Sequence, residues 1–313
     1  MAPIVPEVTT PGDLGEEVAA FLRSLKREDM SENTLAAYAY ACRSFAEWLI
    51  ANDRPTDVEA ITTTDVEAWE IASREAGAKP ATVHNRHRGL QRFFAWYATV
   101  VHDADPESKY RSPMSGMKPP RLPQHQPRVL TMDQLGAILA TTSGRTFEDK
   151  RDEALIRLFF STGLRRAEVG AMTTADYSMS SDKLSVVGKG RKQRSVFLGE
   201  RTRDALDAYT RARRKHKHAD ERWFWLGPRG HLTDSGIAQA IKTRGDLAGI
   251  PKLHPHDFRH AWRHHAEKAG ADMHTLMAAG GWTSDAMLRR YASTTRDERA
   301  IDAMRKIGLG DKL

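Results

Sequence analysis

Gly280-Gly281-Trp282-Thr-Ser-Asp-Ala-Met-Leu-Arg-Arg-Tyr291 stands near the carboxyl end, with its tyrosine nine residues after Trp282. Upstream lies His256-Asp-Phe-Arg259, whose outer residues are three apart and so project from one helical face toward a common target. Earlier still is Ser161-Thr-Gly-Leu-Arg165-Arg-Ala-Glu168. Cleaving a phosphodiester without a metal needs a nucleophile, donors for the charge on the nonbridging oxygens, and an acid for the departing oxygen. Arginine suits the second task because its planar guanidinium presents paired donors and stays protonated at any working pH. Each string alone also reads as a helix-surface pair or a core tyrosine. Their order and spacing carry the signal.

Taken together, the three strings resemble the active site of the tyrosine recombinases, also called phage-type integrases. The resemblance covers about Gly15 to Leu309, with specific motifs in the second half and a general helical likeness in the first. It implies that Arg165 and Arg259 bind the scissile phosphate, that His256 is the proton-transfer histidine, and that Tyr291 attacks phosphorus. The products would be a 3′-phosphotyrosyl intermediate and a free 5′ hydroxyl. The family's hairpin lysine, the general acid for the 5′ oxygen, falls on Lys189 rather than Lys192, between Gly188 and Gly190. A basic turn of Lys189, Arg191, Lys192 and Arg194 that only binds phosphate is the other reading. Glu168 is expected to orient Arg165 or the local backbone, and Arg166, adjacent to Arg165, to be a surface charge. Trp282 departs from the family's more usual histidine; its indole N–H can donate to a nonbridging oxygen, but it cannot exchange a proton. His260, His264 and His265 read as structural.

At 313 residues the chain is long enough for two cores. Its single cysteine, Cys42, permits no internal disulfide, which favours a reducing, cytoplasmic setting. Most of the thirteen histidines lie in basic or helical contexts without paired ligand spacing such as His-Glu-x-x-His, so neither a metal nor another cofactor is expected. No apolar stretch approaches the ~18 residues of a membrane span, and the amino terminus carries no basic region followed by an apolar run. A soluble, unprocessed protein with no membrane partner is the expectation. Net charge is +7, divided unequally: residues 1–110 hold 11 Lys and Arg against 18 Asp and Glu, and residues 111–313 hold 37 against 23. A basic second half suits a polyanion such as DNA, because each neutralised phosphate releases counterions. A merely solvated surface gives the same count.

The expected fold is mainly α: a helical core-binding bundle, then a mostly helical α+β domain with a small β-hairpin. Residues 1–13 read as a tail and 14–104 as a bundle of about four helices, from periodic apolar positions such as Leu35, Ala39, Cys42, Phe45 and Leu49. Ser31 is the expected cap of one helix, and another starts near Pro80. On that helix Arg86, Arg88 and Arg92, with Asn85 and His87, are placed mostly on the polar side, where they suit a DNA backbone or an ordinary solvated face. Residues 105–128, rich in proline, read as an extended, semi-rigid linker. The catalytic domain is assigned to 129–295, with strands at 183–187 and 191–198 around the Gly-bounded turn. Within it Thr233-Asp-Ser-Gly-Ile-Ala-Gln-Ala-Ile-Lys-Thr-Arg244 presents Gln239, Lys242 and Arg244 on a polar face suited to the major groove, where the family places a DNA-contacting helix. The basic run 211–218 reads as a solvated helix end or a nonspecific phosphate contact. Residues 296–313 form a tail or helix with Ala300, Ile301, Met304 and Ile307 on one face. In relatives such a helix docks onto a neighbouring protomer.

The resemblance therefore implies a two-domain clamp on double-stranded DNA core or attachment sites, acting as a homotetramer through a Holliday junction. No arm-site-binding domain is expected ahead of the core-binding one. The Gly-Gly-Trp string leans the reading to a phage or mobile-element integrase, with an accessory excision factor as a further partner. A Xer-like dimer resolvase, a type IB topoisomerase and an idle DNA-binding regulator of the same fold are the alternatives.

Overall fold

The computed structural model describes residues 13–123, 127–179, 181–187 and 193–282. Two compact units divide the chain, Met1–Gln124 and His125–Leu313. The architecture is mainly helical with a small antiparallel sheet, as the apolar periodicity predicts.

The first unit holds α1 (Asp13–Arg27), α2 (Glu32–Ala51), α3 (Thr63–Glu75) and α4 (Pro80–Ala104). Ser31 accepts the Thr34 amide at 3.3 Å and caps α2. Thr62 and Asp65 satisfy each other's backbone at the start of α3, and Pro80, whose missing N–H costs nothing there, opens α4. The core is aromatic. Phe21, Phe45, Trp69, Phe93 and Phe94 interlock in mostly edge-to-face contacts, with Phe45 and Trp69 5.2 Å apart. Fully burying such side chains contributes on the order of 1.5–3 kcal/mol each. Cys42 lies inside this core, where burial pushes its thiol up to about 12 and leaves it unreactive.

Two expectations for this region change. His87 is fully buried rather than on the polar side of α4, and its Nδ1 meets the Glu70 carboxylate at 2.5 Å. A histidine at a core-facing position is tolerated because α3 supplies a partner. Residues 105–123, read as an extended linker, are instead fastened to the first unit: Met114 is buried, with Tyr110 and Met117 packed beside it. The Pro113 carbonyl accepts the Thr63 hydroxyl at 2.7 Å. The apolar residues between the prolines supply the adhesion.

The second unit contains α5 (Met132–Ala140), α6 (Phe147–Thr162), α7 (Arg166–Gly170), β1 (Lys183–Val187), β2 (Gln193–Phe197), α8 (Glu200–Arg213), β3 (Leu226–Gly227), β4 (Gly230–His231), α9 (Asp234–Leu247), α10 (Pro255–Lys268) and α11 (Met273–Gly280). Central to it is α6, packed by α8 and α10. β1 and β2 pair antiparallel from Lys183 opposite Phe197 to Val187 opposite Gln193. Leu184, Val186 and Val196 face the core, while Val187 and Phe197 face outward. The short β3–β4 hairpin has no counterpart in the sequence expectation, since two-residue strands leave no alternation to read.

Candidate active site

Three chain reversals assemble the site. Gly163, in the left-handed conformation at φ 61°, ends α6 and turns the chain into Arg165, which is extended and caps α7. His254 precedes Pro255 at the start of α10, so His256 and Arg259 lie in its first turns. Gly281, at φ 64°, ends α11 and leads into Trp282. A Cβ at Gly281 would be strained by the left-handed backbone and would stand 3.0 Å from the Arg194 guanidinium and 3.3 Å from that of Arg165, which would have to give way by a few tenths of an ångström.

Three successive carbonyls of this last turn each receive an arginine. Ala279 accepts Arg194 Nε at 3.2 Å, Gly280 accepts Arg259 Nη2 at 2.7 Å, and Gly281 accepts Arg165 Nη2 at 2.8 Å. The carbonyl end of a helix carries partial negative charge and has no internal donors, so cations satisfy it twice over. Arg259 also donates from Nη1 to the Gly163 carbonyl at 2.5 Å, joining the end of α6 to that of α11. Its guanidinium carbon lies 4.0 Å from the centre of the Trp282 ring, and Trp282 in turn stacks on Trp262 at 5.9 Å.

Glu168, buried on α7, is the anionic centre. Its Oε2 accepts the Arg165 amide at 2.8 Å, and its Oε1 accepts Arg165 Nη1 at 3.1 Å. Arg194 closes on both oxygens as a fork, Nη1 and Nη2 each at 2.9 Å. Burial works to raise the Glu168 pKa, but hydrogen bonds from Arg194 and the Arg165 backbone, and then the two charges, hold it below the usual carboxylate value. The pKa of His256, an exposed residue at the rim of the site, is lowered first by desolvation and then by Arg259, with Asp257 opposing and Arg165 adding to it. His260, whose ring meets that of His256 edge-on at 4.3 Å, is pushed down to about 4 by burial and then by His256, Arg259 and Arg263. A neutral His256 beside two fixed cations is able to accept a proton.

The structure thus brings together Arg165, Glu168, His256, Arg259 and Trp282 from three separate stretches. Lys189, Arg191 and Tyr291, and the terminal apolar face from Ala300 to Ile307, lie outside the described residues. Arg165 keeps a third of its side chain exposed, whereas Arg259 is only 3% exposed, covered by Trp282. Arg166 is half exposed and pairs with Asp234 at 3.4 Å. Sequence reasoning gave Arg194 only a place in a basic, phosphate-binding turn. Arg194 and Val196 share the inward side of β2, with buried Leu198 just beyond it, so an arginine in that register announces a buried counter-ion.

The groove-facing set on α9 needs one correction. Gln239 and Lys242 are exposed, Lys242 with Asp246 at 3.2 Å, but Arg244 is buried and turned inward. Its Nε reaches Asp152 at 2.8 Å, its Nη2 reaches Asp149 at 3.0 Å, and its Nη1 donates to the Thr141 carbonyl at 2.5 Å. Two carboxylates on α6 claim the side chain, and helix periodicity alone does not show them. On α4, Arg88 and Arg92 are exposed, Arg92 pairing with Glu28 at 3.2 Å, while Arg86 lies over the Tyr40 ring and donates to its hydroxyl at 2.9 Å.

Two family models match the chain, the phage integrase family over residues 128–298 and the phage integrase N-terminal SAM-like domain over residues 18–99. The chain belongs to the phage integrase family. Members of this family, the tyrosine recombinases, are site-specific enzymes that cleave and rejoin DNA. A tyrosine recombinase XerC of Chromohalobacter salexigens is 32% identical over 264 residues, 83% of this chain and 84% of that protein. A tyrosine recombinase XerD of Listeria monocytogenes is 26% identical over 289 residues, 91% and 95% of the two chains. Among solved structures, XerH recombinase bound to a palindromic difH substrate shares the recombinase fold at TM-score 0.71 and 16% identity, over 92% of this chain and 83% of that one. The Tn1549 transposon integrase in complex with transposon right end DNA does so at 0.70 and 18%, over 95% and 99%. Both are like this recombinase in fold.

Proposed function

We propose that this recombinase joins and resolves short duplex sites through a covalent phosphotyrosyl enzyme, with Arg165, His256, Arg259, Lys189 and Tyr291 as its catalytic set. The observation that carries the reading is the meeting of Arg165 and Arg259 at the 279–282 turn, nine residues ahead of Tyr291. In the cleavage step the Tyr291 oxygen bonds to phosphorus as the 5′ oxygen departs, taking a proton from Lys189, while His256 accepts the phenolic proton. Arg165, the more exposed guanidinium, holds a nonbridging oxygen. Arg259 supports it from beneath Trp282, whose ring must shift for direct contact. Charge developing on the phosphorane oxygens is met by donors already fixed in place, which is where such sites gain most of their rate. The phosphodiester energy is kept in the tyrosyl bond, so a 5′ hydroxyl from a second duplex rejoins it without ATP.

Xer-type resolution of directly repeated sites, by four protomers through a Holliday junction, is the finer reading. Its support is the likeness to XerC and XerD over 83% and 91% of this chain. The Gly280-Gly281-Trp282 string favours the second reading, integration of a phage or mobile element with an accessory excision factor. In either case α4 and α9 would lie along the DNA, through Arg88, Arg92, Gln239 and Lys242. The test is incubation of wild type and Tyr291→Phe with nicked duplexes carrying candidate sites, without metal or ATP. A Tyr291-dependent adduct that survives denaturation is expected. Tight DNA binding without an adduct would return the chain to the regulator reading, and exchange between repeated or unlike sites separates resolution from integration.

A further inference from the structure

We propose that Arg194 is a positioning residue for strand cleavage, acting by occupying the fork of Glu168 so that Arg165 remains available to the phosphate. The inference rests on the proposed role of Arg165. Glu168 offers two oxygens to two guanidinium groups, and Arg194 takes one bond from each oxygen at 2.9 Å. Arg165 is left with one side-chain bond to Glu168, at 3.1 Å. Planar guanidinium and carboxylate pair best as parallel bonds, so without Arg194 the carboxylate would draw Arg165 into the closed fork. The exposures agree with this division of labour: the Arg194 side chain is 16% exposed and that of Arg165 is 33%.

A second tie extends the effect along the chain. Arg194 Nε donates to the Ala279 carbonyl at 3.2 Å, and its guanidinium packs on Gly281, against which Arg165 also packs. One side chain on β2 therefore fixes the carboxylate that aims Arg165 and the end of α11 that leads toward Tyr291. In sequence, Arg194 also follows the expected general acid Lys189 by five residues. Two like charges held side by side require a shared anion, and Glu168, buried and held ionised, supplies it.

The test measures single-turnover cleavage of a nicked duplex at saturating DNA, with DNA affinity and melting temperature, for Arg194→Gln, Arg194→Lys, Arg165→Ala and the double variant Arg165→Ala/Arg194→Gln. Arg194→Gln should slow cleavage about 10- to 100-fold, the range for supporting partners of functional groups, with DNA affinity nearly unchanged. Arg194→Lys, which keeps the charge but not the fork, should recover part of the rate. With Arg165 already removed, the Arg194 change should cost less than about threefold more, because the two act as a unit. Rates that follow melting temperature, or losses that multiply in the double variant, would reduce Arg194 to a fold-stabilising residue and overturn the proposal. Unimpaired cleavage by Arg165→Ala would instead sink the reading of the site on which it depends. If Arg194→Gln does not fold, Arg194→Lys in the Arg165→Ala background carries the same comparison.

Discussion

Four arginines of the second unit and two of the first are held in different ways. In the second unit Arg165, Arg194, Arg244 and Arg259 each bond to a buried carboxylate or to backbone carbonyls from other elements. In the first unit Arg88 and Arg92 stand on an exposed helix face, and the Glu28 partner of Arg92 is itself exposed. A guanidinium fixed by several bonds has spent its conformational freedom before any substrate arrives, and it can sit within a fraction of an ångström of a reacting group. One on a flexible exposed stem adds attraction without precision. The same residue type thus serves position in one of these sets and charge in the other.

The largest break in this contrast should come at Arg244. Replacing it with Met takes one partner each from Asp149 and Asp152, which keep Thr146 and Arg151, so the cost should lie below the roughly 3–5 kcal/mol of an orphaned buried charge, at about 2–3 kcal/mol. Chemical denaturation of Arg244→Met should show a loss of that size. Less than about 1 kcal/mol would place the side chain in solvent and restore it to the groove-facing set.

Arg244 also marks where the sequence ceased to be legible. The helix carrying it, its cap and its exposed Gln239 and Lys242 all follow from local pattern, because 3.6-residue periodicity sets faces. That α6 would offer two carboxylates to one edge of that face is a tertiary fact. His87 fails for the same reason: its partner Glu70 lies on another helix. Arg165, Glu168, His256 and Arg259 were named from their strings, yet the convergence of three arginines on residues 279–281 was not, since backbone carbonyls leave no trace in a sequence. Arg194 lies between these cases. Its alternation with Val196 and Leu198 was there to be read, but a basic turn beside it supplied a blander explanation.

Fixed cations also act on their neighbours, which pH can expose. His260 carries a pKa of about 4 against an ordinary 6.5, from burial first and then His256, Arg259 and Arg263. The unfolded chain binds a proton at this site below about 6.5, and the folded one resists until about 4. Stability from this group is therefore complete above 6.5 and lost as pH falls toward 4. His256, shifted the same way, adds to the slope, and Glu168 contributes only at lower pH. His260→Gln should flatten the dependence of unfolding free energy on pH between about 6.5 and 4. An unchanged slope would mean that neither burial nor the cations around His260 hold it deprotonated in the folded chain.

The smallest effect, and the sharpest test of the other half of the contrast, belongs to Arg88. If it serves only as charge on α4, Arg88→Ala should leave the melting temperature and the cleavage rate at saturating DNA unchanged, because no buried partner is orphaned. It should lower the slope of log affinity against log salt by about one, the change expected for one phosphate contact. Arg92→Ala should do less, since Glu28 at 3.2 Å already neutralises part of its charge, and Glu28→Gln should strengthen binding at low salt. Arg88 and Arg92 then differ only in whether an acid competes with the DNA. If Arg88→Ala slows cleavage at saturating DNA while the salt slope stays fixed, an exposed arginine is acting by position, and the division between the two units fails.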